Sequence, residues 1–404
     1  METREIKKLS VRLYGKEVGI LKEYKGKMRF KYNDDAQNPL SLSLPVIKEV
    51  YPEKICKAYF GGLLPEHEET RKTLAIKYKI SENNDFALLA AIGHDCAGAV
   101  TFHELNEPQV LQEFVEVKGE FLTDEELWKH IKDLPVKPYL GRRMSLAGAQ
   151  EKTPVCVIDN KIALPLDGSP TTHILKPPVR RFEQSVANEY ICMETARLIG
   201  LNVPKTEIRN ALDTEFFLIQ RYDRVEKNGK IMRLQQEDFT QALGVWVDNK
   251  YKVTFRDCFQ VLNQTSRPAL DKMNFISRVI LNYLIGNCDA HGKNFSLVYT
   301  GSSIIFSPAY DILCTSVYEL DNTMAMKIGK AKYIQEVTQK DWQIFAKDLE
   351  VAPSLAIEEL QRQINVLPDM LEQIVNKTDA EIGHKILDFV IKNCESSNKR
   401  LNFK

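Results

Sequence analysis

The residues best suited to chemistry stand close together in the chain. Asp289, His291, Lys293 and Asn294 all fall in the run Asn287-Cys-Asp-Ala-His-Gly-Lys-Asn294, and Asp311 follows shortly after. Asp289 and Asn294 are five apart, the D-x-x-x-x-N spacing by which phosphoryl-transfer loops set a base and a magnesium ligand. Such chemistry needs one carboxylate to accept the acceptor hydroxyl's proton. It also needs a second carboxylate beside the first loop to hold the metal, and Asp311 is the candidate. The spacing alone is weak, because Asp and Asn in a glycine-containing loop also cap helices and make turns.

Positioning these groups requires particular elements. Phe275, Val279, Ile280, Tyr283 and Leu284 recur at helical spacing, which predicts a buried helix ended by Gly286 and Asn287. Residues 295–299 alternate as a strand, Thr300-Gly-Ser-Ser303 is turn chemistry, and residues 303–306 read as a return strand. A tight hairpin of this kind predicts that Asp311 comes back beside Asn294.

The composition is that of an ordinary soluble globular protein. The chain has 404 residues, 44% hydrophobic and 27% charged, enough for two or three domains with ample cores. A formal net charge of zero means that any nucleic-acid contact must come from a local basic patch. Eight cysteines without a C-x-x-C pair read as reduced core residues of a cytosolic protein. The N-terminal residues carry no apolar signal segment, and no run approaches the roughly 18 apolar residues of a membrane span. A cytoplasmic location with no membrane contact is the expectation.

In chain order, residues 6–31 alternate around Gly15 and Gly26 as a small antiparallel sheet, and helices are expected over 66–79 and 86–92. Gly61-Gly62 lacks a following Lys-Ser/Thr and reads as a loop. Thr123-Asp-Glu-Glu126 is a capping box that opens a helix. Pro135 to Pro138 marks a candidate domain boundary. The loop Arg142-Arg-Met-Ser-Leu-Ala-Gly-Ala-Gln-Glu-Lys-Thr153, before a strand over 155–158, has the small residues that let backbone N–H groups approach phosphate oxygens; its composition equally suits a hairpin turn. His173-Ile-Leu-Lys176 is a strand ending in a lysine that is costly to bury unless it meets an anion. A helix over 185–199 carries Glu189, spaced for an ion pair with Lys176. Phe216 to Ile219 is a buried strand that breaks at Gln220, Arg221 and Tyr222, as a hinge whose backbone binds adenine would. Gln235 to Phe239 is read as the opening of the helical half. Pro353 and Pro368 are placed near helix starts, and Ser396 to Arg400 as a polar tail.

The order of these features and their wording resemble the HipA family of serine/threonine protein kinase toxins from bacterial toxin–antitoxin pairs. The matching segments are Ser145-Leu-Ala-Gly-Ala-Gln-Glu-Lys152, His173-Ile-Leu-Lys176-Pro, Gln236-Glu-Asp-Phe239, Asn287-Cys-Asp-Ala-His-Gly-Lys-Asn294 and Ser307-Pro-Ala-Tyr-Asp311. Pro39-Leu-Ser-Leu-Ser-Leu-Pro45, Leu63-Leu-Pro65 and Gly98-Ala-Val100 resemble the family's small N-terminal domain, so the resemblance spans nearly the whole chain.

The resemblance implies an α+β, two-lobed, protein-kinase-like (phosphatidylinositol-kinase-like) fold with a β-rich small N-terminal domain and a mostly helical C-terminal lobe. The expected divisions are residues 1–135, 136–222 and 223–404. By position, Asp289 becomes the base, and Asn294 and Asp311 become the magnesium ligands. Ala147, Gly148, Ala149, Gln150, Glu151 and Lys152 become the phosphate-covering loop, and Lys176 binds nucleotide phosphates. Gln220, Arg221 and Tyr222 become the hinge, with Gln236, His291, Gly292, Lys293, Asn294, Tyr310 and Asp311 as further contacts to ATP. Ser145 falls at the family's autophosphorylation position. Implied partners are a helix-turn-helix, HipB-like DNA-binding antitoxin, operator DNA mainly through that antitoxin, and a protein substrate such as an aminoacyl-tRNA synthetase. Two other readings stand beside this one: a catalytically weak corepressor, and a small-molecule or lipid phosphotransferase. No H-R-D precedes Asp289, and Tyr310-Asp311-Ile312 replaces D-F-G, which puts eukaryotic-type activation-loop control in doubt.

Overall fold

The computed structural model describes residues 7–109, 111, 113–134, 151–166 and 168–401. The fold is α+β and divides into two compact units. The first is Met1–Pro177, Asn210–Asp248 and Val298–Thr300; the second is Pro178–Arg209, Asn249–Leu297 and Gly301–Lys404.

In the first unit, Lys27–Tyr32, Lys16–Tyr24, Lys7–Leu13 and Val100–His103 form an antiparallel sheet in that order. Its two hairpin turns, Tyr14-Gly15 and Lys25-Gly26, hold both central residues at positive φ, matching the right-handed twist of the flanking strands. Gly19 passes under Phe30, where a Cβ would lie 2.6 Å from the ring. Val11, Leu21, Phe30, Tyr59, Phe60 and Phe102 fill the core beneath, which the helices Glu68–Tyr78 and Asp85–Ile92 help to close. Gly61 is a packing position, not a phosphate loop: a Cβ there would meet Trp246 at 2.5 Å.

A second sheet runs through Thr214–Gln220, His173–Lys176, Thr153–Ile158, Lys161–Pro165 and Gly119–Phe121. Phe217 stands opposite Lys176, and Leu175 opposite Thr153. The helix Asp124–Asp133 begins at the anticipated capping box, Thr123 with Glu126. It packs Leu127 and Ile131 against Val155, Leu175, Phe216 and Leu218. The second unit is built on the helices Ser185–Leu198, Pro268–Ile285, Pro353–Thr378 and Glu381–Leu401, which pack on one another. All eight cysteines are buried and free. No described helix is long and apolar enough to cross a membrane.

Three local expectations are corrected. Gln235–Asp238 is a fully buried strand, and only Phe239–Ala242 is helical, because Asp238 caps that short helix from outside. Pro368 lies inside the helix Pro353–Thr378, not at a start; the apolar row Ile364, Leu367 and Leu371 stays buried through it, and burial offsets the lost hydrogen bond. The polar run Ser396 to Arg400 is no tail but the end of the helix Glu381–Leu401, with Ser397 buried against the Tyr283 hydroxyl at 2.8 Å.

Candidate active site

The helix Pro268–Ile285 ends as its sequence requires. Gly286 closes it at φ 81°, and a Cβ there would also lie 2.5 Å from the Phe389 ring, so both conformation and packing demand glycine. The Gly286 carbonyl accepts from the N–H of Thr315 at 3.0 Å and of Ser316 at 3.1 Å. The Cys288 N–H donates to Thr315 Oγ1 at 2.8 Å. These bonds fix the base of a loop whose next residue, Asp289, is exposed. The Asp289 N–H donates to Asn287 Oδ1 at 3.2 Å, and the Asp289 carboxylate accepts from the Tyr251 hydroxyl at 2.9 Å.

From there the chain makes a tight turn, Gly292–Asn294. The His291 N–H donates to Asn294 Oδ1 at 3.0 Å and the Asn294 N–H to the His291 carbonyl at 2.9 Å, which orients the Asn294 amide. Its Nδ2 donates to Asp311 Oδ2 at 2.8 Å. The strands Ser296–Thr300 and Ser303–Phe306 lie between the two residues, and the Ser307 N–H donates to the Ser296 carbonyl at 2.9 Å. Arg278 holds the returning segment through Nη2 to the Ser307 carbonyl at 2.6 Å, with its guanidinium 4.2 Å from the centre of the Phe306 ring. Tyr310 donates to the Lys293 carbonyl at 2.8 Å. Asp311 itself sits in the left-handed region at φ 60°, a strained conformation of the kind that accumulates at functional sites. Asn287, missed as a site residue by the sequence, ties the two segments: its Nδ2 reaches Asn282 Oδ1 at 3.0 Å and the Asp311 carbonyl at 3.4 Å. The Asn294 amide thus gives its Nδ2 to Asp311 and its Oδ1 to the His291 N–H; the Asp311 carboxylate and the amide oxygen are both hard oxygen donors of the kind magnesium takes.

In the first unit, Lys176 is buried at the end of its strand, its ammonium 5.9 Å from the centre of the Phe217 ring. Glu151 and Lys152 are half-buried before the strand Thr153–Ile158. Gln220 ends the strand Thr214–Gln220, and the Tyr222 hydroxyl donates to Gln236 Oε1 at 2.6 Å. Ser145 and Ala147 to Gln150 lie outside the described residues. Lys176 and Glu189, expected to pair, belong to different units.

Arg221, expected at the hinge, turns its side chain inward, into a charge network the sequence did not announce. Its Nε and Nη2 donate to Asp223 at 2.9 and 2.7 Å, its Nη1 to Thr171 Oγ1 at 2.8 Å, and its Nη2 to the Cys96 carbonyl at 2.8 Å. Arg224 and Arg233 donate to Asp95 Oδ1 at 2.9 and 3.2 Å. Burial pushes the Asp95 carboxyl up, but Arg224, Arg221 and Arg233 outweigh it and hold the group well below the usual carboxylate range. Nearby, burial raises the Glu237 carboxyl to about 7, against hydrogen bonds from Ser41, Tyr299 and the Leu42 N–H.

Among the described residues, His94, His103 and Glu107 form a three-donor group. Both His103 nitrogens are already engaged, by Glu107 at 2.7 Å and Thr101 at 2.9 Å, and its ring stacks on His94 at 4.6 Å. Stacked rings aim their in-plane lone pairs side by side, not at one ion.

The arrangement defines a class, the two-lobed protein-kinase-like α+β proteins. Two family models match the chain: the HipA-like C-terminal domain over residues 144–381 and the HipA N-terminal domain over residues 9–103. The chain belongs to the HipA family. It is similar to "Putative kinase Y4mE" of Sinorhizobium fredii, 39% identical over 87% of this chain and 88% of that one. It is also similar to the serine/threonine-protein kinase toxin HipA of Shewanella oneidensis, 27% identical over 83% of this chain and 81% of that one. Its fold matches a chain of the solved Shewanella oneidensis complex of HipA, HipB and operator DNA with a TM-score of 0.85, 24% identity and 98% coverage of both chains.

Proposed function

We propose that this protein is an ATP- and magnesium-dependent serine/threonine protein kinase, acting as the toxin of a toxin–antitoxin pair. The observation that carries the reading is the 2.8 Å contact between Asn294 Nδ2 and Asp311 Oδ2, in a HipA-family chain whose Asp289 is exposed on the same loop as Asn294. Asp289 accepts the proton of the acceptor hydroxyl and orients its oxygen. Asn294 and Asp311 would hold magnesium, which supplies positive charge to the phosphate oxygens when bound. Lys176 binds the phosphates, and Ala147 to Lys152 form the loop that covers them. Gln220, Arg221 and Tyr222 serve as the hinge, where Arg221 must use an atom other than its N–H, which donates to the Thr172 carbonyl at 2.9 Å. Gln236, His291, Gly292, Lys293 and Tyr310 line the nucleotide. Ser145 is the autophosphorylation position, the partner is a HipB-like helix-turn-helix antitoxin that brings operator DNA, and the target is a protein such as an aminoacyl-tRNA synthetase.

The test is phosphate transfer from labelled ATP with magnesium by the full chain and by Asp289→Asn, with mass spectrometry at Ser145. Transfer by the wild type, lost in the variant at an unchanged melting temperature, is expected. Equal transfer by both forms would remove Asp289 from the chemistry.

A further inference from the structure

We propose that Tyr251 is an internal gate on the acceptor position of Asp289. The inference rests on the kinase reading of Asp289 and adds a control on it. Tyr251 belongs to the turn Val247–Lys252, none of whose residues is buried. The tyrosine is 53% exposed, yet its hydroxyl donates to Asp289 Oδ1 at 2.9 Å. Its ring stands edge-on to His291, centroids 5.1 Å apart and planes 79° apart, and the Lys250 ammonium lies 5.3 Å from the ring centre.

A kinase acceptor must bring its hydroxyl into hydrogen-bond reach of the catalytic carboxylate and donate to it. The Tyr251 hydroxyl makes that same contact from within the chain. An ionised carboxylate only accepts, and with the phenol seated on Oδ1 an incoming serine or threonine hydroxyl meets that oxygen already taken. The competition is reversible because the turn that carries Tyr251 buries none of its residues, and such lightly packed segments open at low free-energy cost. When Tyr251 swings out, Asp289 becomes available to an acceptor. When it swings in, both a protein hydroxyl and water are kept from Oδ1 of the base.

The decisive variant is Tyr251→Phe, which keeps the ring against His291 and removes only the hydroxyl. ADP release in the absence of a protein acceptor, and transfer of labelled phosphate to dephosphorylated casein over a range of casein concentrations, are measured with ATP and magnesium for wild type, Tyr251→Phe and Asp289→Asn. The net worth of one solvent-exposed hydrogen bond sets the scale of the gate, so Tyr251→Phe should speed ADP release and lower the KM for casein by roughly 3- to 10-fold, with kcat held. Unchanged ADP release and KM overturn the gate. So does a fall in kcat at constant KM, which would make Tyr251 a residue that orients Asp289, and so does phosphate found on Tyr251 itself, which would make it an acceptor. If Asp289→Asn abolishes transfer while Tyr251→Phe changes nothing, the gate alone is lost. Should neither the wild type nor Tyr251→Phe release ADP, or should Asp289→Asn remain fully active, the kinase reading falls and the gate with it.

Discussion

Replacing Asp95 by asparagine tests whether the first unit depends on one buried carboxylate. Oδ1 accepts from Arg224 at 2.9 Å and Arg233 at 3.2 Å; Oδ2 accepts from the Thr171 hydroxyl at 2.6 Å, the Thr171 N–H at 3.3 Å and Arg221 at 3.4 Å. Asp95 is 2% exposed, and Arg221, Arg224 and Asp223 are buried with it. In the native network two carboxylates face three guanidiniums; in the variant Asp223 faces them alone, and the new amide turns donors toward donors. Breaking a buried pair from one side costs about 3–5 kcal/mol, since the remaining charges stay desolvated. That is a large part of a typical total of roughly 5–15 kcal/mol. Because the Asp95 carboxyl is held below its ordinary range, its contribution is present above the unfolded-state value near ~3.9 and is lost as pH falls below it. Chemical denaturation at neutral pH should show the full loss, with a smaller difference between the two forms in acid. Asp35→Asn is the control: its pair with Lys16 is exposed, at 67% and 58%, and should leave the melting curve unchanged. An Asp95→Asn loss below about 1 kcal/mol would refute the reasoning.

Two further predictions follow from the same geometry. Asp311→Ala removes the carboxylate that accepts from Asn294 at 2.8 Å, so ATP affinity measured by calorimetry should fall at least tenfold in magnesium (about 1.4 kcal/mol or more), and equal affinity in both forms would contradict the metal assignment. Burial raises the Glu237 carboxyl to about 7, so its stabilisation is fully present below the unfolded value near ~4.3 and is lost as pH rises through about 7. Glu237→Gln keeps the neutral shape and should flatten the fall in unfolding free energy, measured by urea denaturation, between mildly acidic and mildly alkaline buffer, a fall of up to about 3 kcal/mol in the native chain; an unaltered slope would show that Glu237 does not titrate there.

Sequence by itself determined what depends on near neighbours. Helical spacing from Phe275 to Leu284 and the stop at Gly286 marked the helix that delivers Asp289. Turn residues between two short strands led back to Asp311, and Thr123 with Glu126 announced a helix start. Periodicity and capping act over a few residues, so a linear reading captures them. Tertiary structure alone decided the partners of buried charge. Asp95 and Arg224 are 129 residues apart, and nothing in either neighbourhood tells one that it will meet the other. It likewise made Gln235–Asp238 a strand, carried a helix through Pro368 because its apolar side is covered, and buried Ser397 in what looks like a tail. It also set Tyr251 on Asp289 across 38 residues. An exposed tyrosine has no periodicity to betray it, and only the path of the chain in space brings its hydroxyl to the Asp289 carboxylate.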